Sequence, residues 1–118
     1  MAGKSPPAFP VENLADALRA LQSSASAGQP VHLMFSWASL RSVGIGYAMA
    51  IVAKARATYP QIACKSVLDA GEDAGLALSA LKSGADMVRF SGAPQLAKKL
   101  SQIARQLGVG LEILPAAA

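Results

Sequence analysis

Two different patterns of apolar and polar residues alternate along this chain. Apolar residues recur at helical spacing in some segments, while short continuous apolar runs, typical of strands buried on both faces, lie between them. The pattern predicts helices over 11–22, 40–59, 73–82 and 95–107, and strands over 31–36, 63–68, 86–90 and 109–114. Small and polar residues over 23–30 predict a loop between the first helix and the first strand.

Prolines and glycines mark the ends of these elements. Pro60 follows the second predicted helix, Pro94 stands where a proline at a helix start is favoured, and Gly108 closes the last helix. Connections this short imply right-handed crossovers between parallel strands. We therefore expect an α/β fold with a four-stranded parallel sheet and alternating helices. A single domain should cover 8–115, between a disordered lead-in at 1–7 and a tail at 116–118.

The last helix has the clearest amphipathic pattern. Its charged and polar residues recur on one side, and its large apolar residues recur on the other, which we expect to face the sheet. The residues expected to face inward are Leu96, Leu100, Ile103 and Leu107.

Composition favours a protein that hides part of its surface against a partner. The 118 residues are 53% apolar and only 15% charged, which is apolar for a small soluble monomer. We therefore expect a homo-oligomer, with a dimer favoured. The longest apolar stretch, 43–53, is too short to span a bilayer and contains two glycines, so it predicts a buried helix and no membrane partner.

The charge pattern argues against nucleic-acid binding, and the cysteine content indicates a reducing compartment. The net charge is +4, but the basic residues are scattered and few aromatic residues lie between them, so we do not expect nucleic-acid binding. Cys64 is the one cysteine and cannot form an internal disulfide. It is interpreted as a small core residue of a protein in a reducing compartment, the cytoplasm.

Several segments of the chain resemble, in the same order, segments of a known protein family. Residues 8–14 (AFPVENL) resemble the opening of class II fructose-bisphosphate aldolases, where Ala-Phe-Asn leads into an Asn-Leu-Glu helix start. Residues 30–36 look like the second strand of that family with its terminal serine. The similarity continues through 46–48 (GYA) to 59–62 (YPQI).

The later segments extend the resemblance to residue 112. Residues 67–71 (VLDAG) fall on the family's His-Leu-Asp-His-Gly. Residues 80–85 through 91–93 fall on its Ala-Ile-x-x-Gly-Phe through Asp-Gly-Ser, and 108–112 (GVGLE) look like Gly-Val-x-Val-Glu. The resemblance implies the N-terminal half of a TIM (β/α)8 barrel, whose whole takes about 250 residues. The alternative is a flavodoxin-like open sheet, which also accommodates four strands.

The same resemblance implies what chemistry remains. Asp69 stands where the family has its acid/base carboxylate, but Ala70 replaces the histidine that holds a divalent metal. We expect no resident cofactor, with zinc or magnesium present only if a second chain supplies ligands. His32, the one histidine, is predicted near the start of its strand, away from the active end, and is interpreted as structural.

Candidate binding residues follow the predicted strands, where ligands bind in parallel α/β sheets. The turn into the helix at Pro94 is expected to offer free N–H groups to an anion. The simpler interpretation is a plain strand-to-helix turn that binds no ligand. Trp37 is expected either to floor a pocket or to make a dimer contact. The candidate ligand-binding residues are Ser36, Trp37, Arg41, Gly71, Ser91 and Gly92.

The carboxylates after the second predicted strand have two possible roles. Asp69, Glu72 and Asp73 could hold a hard cation such as magnesium, or Glu72 or Asp73 could cap the following helix, which explains most of the acidity without an ion. The function that follows is a non-catalytic or regulatory binding module for a small anionic metabolite, for example a phosphorylated one. The alternative is an aldolase-like carbon–carbon lyase whose site a second chain completes, with Asp69 as the acid/base.

Overall fold

The computed structural model describes residues 8–24 and 30–115. The lead-in predicted at 1–7 and the tail predicted at 116–118 lie outside the described residues. The described strands are β1 (Ala8–Pro10), β2 (Val31–Phe35), β3 (Cys64–Asp69), β4 (Met87–Phe90) and β5 (Gly110–Ile113). The described helices are α1 (Leu14–Ser24), α2 (Trp37–Val43), α3 (Ile45–Thr58), α4 (Ala74–Leu81) and α5 (Pro94–Leu107).

All five strands form one parallel sheet in the order β1-β2-β3-β4-β5. The predicted parallel α/β fold is confirmed, but the prediction of four strands missed β1. That strand has only three residues, one of which is a proline, so it is too short to produce an alternating pattern. The order contains no reversal, unlike the 2-1-3-4-5 order of flavodoxin-like sheets, and it is the order of successive strands in a (β/α)8 barrel.

The single helix predicted over 40–59 is wrong, because the structure has two helices there. Gly44 separates α2 from α3 with a φ of +86°, a backbone conformation that residues with a side chain rarely adopt. The first of the two helices also begins earlier than predicted. Ser36 caps it, since its Oγ accepts a hydrogen bond from the N–H of Ser39 at 3.1 Å.

Two hydrogen bonds of Asp16 set the start of α1. The N–H of Asp16 donates to Asn13 Oδ1 at 2.8 Å, and Asp16 Oδ2 accepts from the N–H of Glu12 at 3.0 Å. The arrangement resembles a capping box, except that the second bond comes from the residue before the cap and not from the cap itself. The bond from Glu12 is the main cause that lowers the pKa of Asp16.

The two faces of the sheet differ in what covers them. Right-handed crossovers that always step to the next strand put every helix on the same face. Strand residues that point to that face are fully buried against the helices, and the largest are Leu33, Phe35, Leu68, Val88 and Phe90. They form the core of the protein.

The opposite face, called here the uncovered face, forms a shallow groove of about 590 Å³. No described helix contributes to its lining. Arg89 is one of its lining residues, with Nη1 3.1 Å from Met34 Sδ and Nε 2.9 Å from Glu112 Oε1. The second contact is an ion pair without a well-directed hydrogen bond. The lining residues are Ala8, His32, Met34, Val67, Met87, Arg89, Gly110, Leu111 and Glu112.

The inward face predicted for α5 is wrong in part. Leu100 is buried and Ile103 is half-buried, but Leu96 and Leu107 are 38% and 49% exposed. The small residues Ala97 and Ala104 occupy the centre of the contact instead, because they let α5 lie close to the sheet. The predicted buried helix over 43–53 is likewise only buried on one side, with Val43 and Tyr47 exposed. Among the described helices, none has the length and apolar character needed to cross a membrane.

Candidate functional site

The carboxyl ends of β2, β3 and β4 border a groove of about 520 Å³, called here the carboxyl-end groove. The loops after these three strands lie side by side because the strands are adjacent and parallel. The groove is lined by Trp37, Gly71, Glu72, Asp73 and Ser91.

Trp37 forms one wall of the carboxyl-end groove. It is the first residue of α2 and remains 43% exposed. Its ring lies against the backbone of Gly71, where a Cβ would come within 3.3 Å of Trp37 Cδ1. Gly71 also has a φ of +58°, so a glycine suits both the turn and the close approach of the ring.

Arg41 lies one turn further along α2 and contacts two residues of the groove. Its guanidinium carbon is 5.3 Å from the centre of the Trp37 ring, which is a cation–π distance. Its Nη1 is 3.6 Å from Asp73 Oδ2. The Arg41 side chain is 60% exposed, so water screens this ion pair and the guanidinium remains accessible to a ligand.

Two of the three carboxylates near the groove accept hydrogen bonds from nearby backbone N–H groups. Asp73 Oδ1 accepts a hydrogen bond from the N–H of Leu76 at 3.0 Å and is the N-cap of α4. Asp69 Oδ1 accepts from the N–H of Gly71 at 2.9 Å, which closes the turn after β3. Glu72 is exposed. Local hydrogen bonding, a helix cap for Asp73 and a turn for Asp69, therefore engages one oxygen of each of two carboxylates that the sequence offered as cation ligands.

The other wall is the turn between β4 and α5. The N–H of Ser91 donates to the carbonyl of Gly71 at 2.8 Å, which joins the two loops. A Cβ on Gly92 would overlap the ring of Phe90 and lie 3.1 Å from the carbonyl of Glu72, so only glycine fits. Ala93 is the N-cap of α5 and offers no side-chain acceptor to the first N–H groups of the helix.

The predicted site residues are therefore placed at the same end of the sheet but not all in one site. Trp37, Gly71 and Ser91 line the groove and Arg41 adjoins it. Ser36 is engaged as a helix cap and Gly92 packs against the core. By strand alternation, Asp69 belongs to the uncovered face, in register with Arg89.

The remaining candidate ligands do not gather into a metal site. His32 is half-buried on the uncovered face, as the second residue of β2. Within residues 8–24 and 30–115, no three His, Cys, Asp or Glu side chains lie close enough together to hold a metal ion.

Sequence reasoning missed a polar cluster at the opposite end of the strands, formed by Arg56, Ser66 and Asp86 and called here the amino-end cluster. Asp86 Oδ2 accepts from the N–H of Ser66 at 2.8 Å, from Ser66 Oγ at 3.0 Å and from Arg56 Nη2 at 2.7 Å. In return, the N–H of Asp86 donates to Ser66 Oγ at 3.0 Å. The cluster thus connects α3, β3 and the start of β4.

This cluster changes the acidity of its members. Burial opposes ionisation of Asp86, but the hydrogen bonds from Ser66 and the charge of Arg56 outweigh it, so its pKa is lowered. Arg56 also donates two hydrogen bonds to the carbonyl of Cys64. Burial is the main cause that raises the pKa of the Cys64 thiol, which makes it a poor nucleophile.

One signal for the cluster was present in the sequence. Ser66 alternates with Cys64 and Leu68 along β3, so it shares their face of the strand, and it is completely buried. A serine at such a position requires hydrogen-bond partners. The sequence does not say that these partners come from residues 20 positions later and from the preceding helix.

Comparison with known proteins does not assign the chain to a family. No known family profile matches it, and no curated protein is similar to it at a significant level.

Proposed function

We propose that the protein is a non-catalytic or regulatory module that binds a small anionic metabolite in the carboxyl-end groove. The observation that carries the proposal is the position of Arg41. Its guanidinium is exposed, lies over the ring of Trp37 and stands beside the groove. A planar cation held against an aromatic ring is oriented in advance, so an anion that binds it has less side-chain freedom to remove.

The other groups of the groove narrow the ligand class. The start of α5 favours a second contact to the anionic group, because the beginning of a helix carries partial positive charge. The N–H of Gln95 would make this contact, since Pro94 has no N–H and the N–H of Leu96 donates to the carbonyl of Ala93. Glu72 and Asp73 accept hydrogen bonds but repel anions. A ligand with one anionic end and hydroxyl groups at the other, such as a phosphorylated sugar or polyol, satisfies both sides.

Two further features support the wider proposal that the chain is an aldolase-like half-barrel. The strand order is the sequential order that half of a barrel requires. Residues 67–71 and 91–93, which carry part of the resemblance to class II aldolases, extend into the β3–α4 and β4–α5 loops, and these loops border the groove. We also propose that the protein works as a homo-oligomer, preferably a dimer, in the cytoplasm, where its one thiol stays reduced.

Trp37 makes the test direct, because it is the one tryptophan of the chain and lies in the groove. We expect its fluorescence to change saturably on titration with glycerol 3-phosphate or fructose 1,6-bisphosphate, but not with sodium chloride at equal ionic strength. Arg41→Ala should weaken this binding by about tenfold or more, since a charge-assisted contact contributes about 1.5–3 kcal/mol. Arg105→Ala, which removes an exposed arginine on α5, is the matched control. Equal affinity of the two variants would contradict the proposal.

A second candidate function rests on Asp69. This carboxylate stands at the carboxyl end of β3 with only one oxygen engaged by Gly71, and it borders the uncovered face. An aldolase-like lyase would use it as the acid/base, with metal ligands supplied by a second chain. Zinc-dependent cleavage of fructose 1,6-bisphosphate that disappears in Asp69→Ala would favour the lyase over the binding module. Absence of turnover with added zinc is the result that we expect.

A further inference from the structure

The two edges of the sheet differ in the hydrogen-bonding groups that they present. On β5, the N–H groups of Gly110 and Leu114 donate to β4, so alternate residues turn their backbone to that strand. The backbones of Leu111 and Ile113 consequently point away from the sheet, each with an N–H and a carbonyl. The β5 edge therefore presents two donors and two acceptors.

The β1 edge is short of donors. The N–H of Val11 donates to the carbonyl of Met34, so Ala8 and Pro10 are the residues of β1 that turn away from β2. Both present a carbonyl, but Pro10 has no N–H. A proline at this position prevents β1 from forming a full antiparallel ladder with the β1 of another molecule.

Pairing of β5 with itself is also disfavoured. An antiparallel pair that uses the outward groups of both Leu111 and Ile113 puts Glu112 directly opposite the Glu112 of the second strand. Both carboxylates then lie on the uncovered face, and like charges opposite each other destabilise a strand pair. The donors of β5 are better matched by the outward carbonyls of β1.

We propose that a second copy of this chain closes the sheet, with the β5 of each copy pairing in parallel with the β1 of the other. A two-fold axis along the strands forms both seams at once, so the assembly ends at two copies. The resulting ring of ten parallel strands has no open edge. Met34, Val67 and Met87, which form the apolar middle of the uncovered face, become interior residues.

Each seam requires the N–H groups of Leu111 and Ile113 to donate hydrogen bonds to the other copy. Hydrogen exchange measures whether these N–H groups are bonded. We expect the N–H groups of Leu111 and Ile113 to be protected at protein concentrations where sedimentation shows a dimer, and to exchange rapidly after dilution to monomer. Ile113→Pro removes one of these donors without removing any bond between β4 and β5. It should raise the dimer dissociation constant by about tenfold or more while the circular dichroism of the monomer is retained.

Ile113→Ala is the matched control, because it shortens the same side chain but keeps the N–H. It should leave the dimer largely intact. A protein that stays monomeric at high concentration overturns the inference, and so does a dimer in which both amides exchange freely or which survives Ile113→Pro. Dissociation of the alanine variant to the same extent as the proline variant also overturns it. None of these results depends on the ligand of the carboxyl-end groove, which the Trp37 titration tests separately.

Discussion

The two ends of the sheet both carry arginine, aspartate and serine, but they use them differently. At the amino end, Asp86 accepts three hydrogen bonds and Ser66 is completely buried. At the carboxyl end, Arg41 is 60% exposed and lies 3.6 Å from its carboxylate, a contact too long for a strong hydrogen bond. The same residue types thus form a closed network at one end and an open groove at the other.

This difference separates structural polar groups from groups available to a ligand. A network whose polar groups bond to one another holds elements together and offers few free groups to a second molecule. A groove whose cation, hydroxyl and helix N–H groups are only loosely engaged can exchange its weak contacts for those of a ligand. We therefore expect substitutions at the amino end to change stability, and substitutions at the carboxyl end to change binding.

The largest expected effect is that of Asp86→Ala. This change leaves the buried Ser66 hydroxyl and N–H without their acceptor and removes the partner of Arg56. We expect the free energy of unfolding to fall by about 2–3 kcal/mol, a value at the low end for a buried charged network because this ion pair is partly exposed. Urea denaturation measures it. Glu72→Ala removes an exposed carboxylate and should change stability by less than about 0.5 kcal/mol.

Gly92→Ala should have the next largest effect, and this effect on stability arises at the carboxyl end. The added methyl group would overlap the ring of Phe90, which is completely buried. Overpacking of this kind costs about 1–3 kcal/mol of unfolding free energy. Gly46→Ala is the control, since a Cβ there meets open space and alanine favours the helix. Thermal denaturation in which both variants lose stability equally would contradict the steric explanation.

The sequence predicted the repeating elements well because periodicity and breakers are local signals. Pro60, Pro94 and Gly108 each mark an element end that the structure confirms to within a few residues. The break at Gly44 was missed, although glycine is present, because apolar residues continue at helical spacing on both sides of it. Strand β1 was missed because three residues contain too little pattern to distinguish a strand from a loop.

The candidate site could be predicted only in part, for a geometric reason. The ends of strands can be predicted from sequence, so Trp37, Gly71 and Ser91 were expected at one end of the sheet. In the structure these three residues line one groove there. The amino-end cluster depends on contacts between Ser66 and a residue 20 positions away, which no local pattern contains. The uncovered face depends on the direction of every crossover, and strand order is needed to derive it.

Acidification should weaken the amino end selectively. The pKa of Asp86 is lowered in the folded state relative to its usual value of 3.8, so its contribution to stability is complete above that value. The contribution is lost as pH falls through the lowered pKa. We expect wild type to lose more unfolding free energy than Asp86→Asn between about pH 6 and pH 2.5, measured by urea denaturation. Equal losses would mean that Asp86 is not ionised in a stabilising environment.

Apart from the control variants, the smallest expected change in stability is that of Arg41→Ala, the carboxyl-end counterpart of the Asp86 substitution. The ion pair of Arg41 with Asp73 is screened by water, and its contact with the Trp37 ring is at an exposed position. Together these contacts should contribute less than about 1 kcal/mol to the free energy of unfolding. Urea denaturation should therefore place this variant close to wild type, while its affinity for glycerol 3-phosphate falls. A loss of stability as large as that of Asp86→Ala, with unchanged affinity, would show that Arg41 belongs to a structural network and that the two ends of the sheet do not differ in kind.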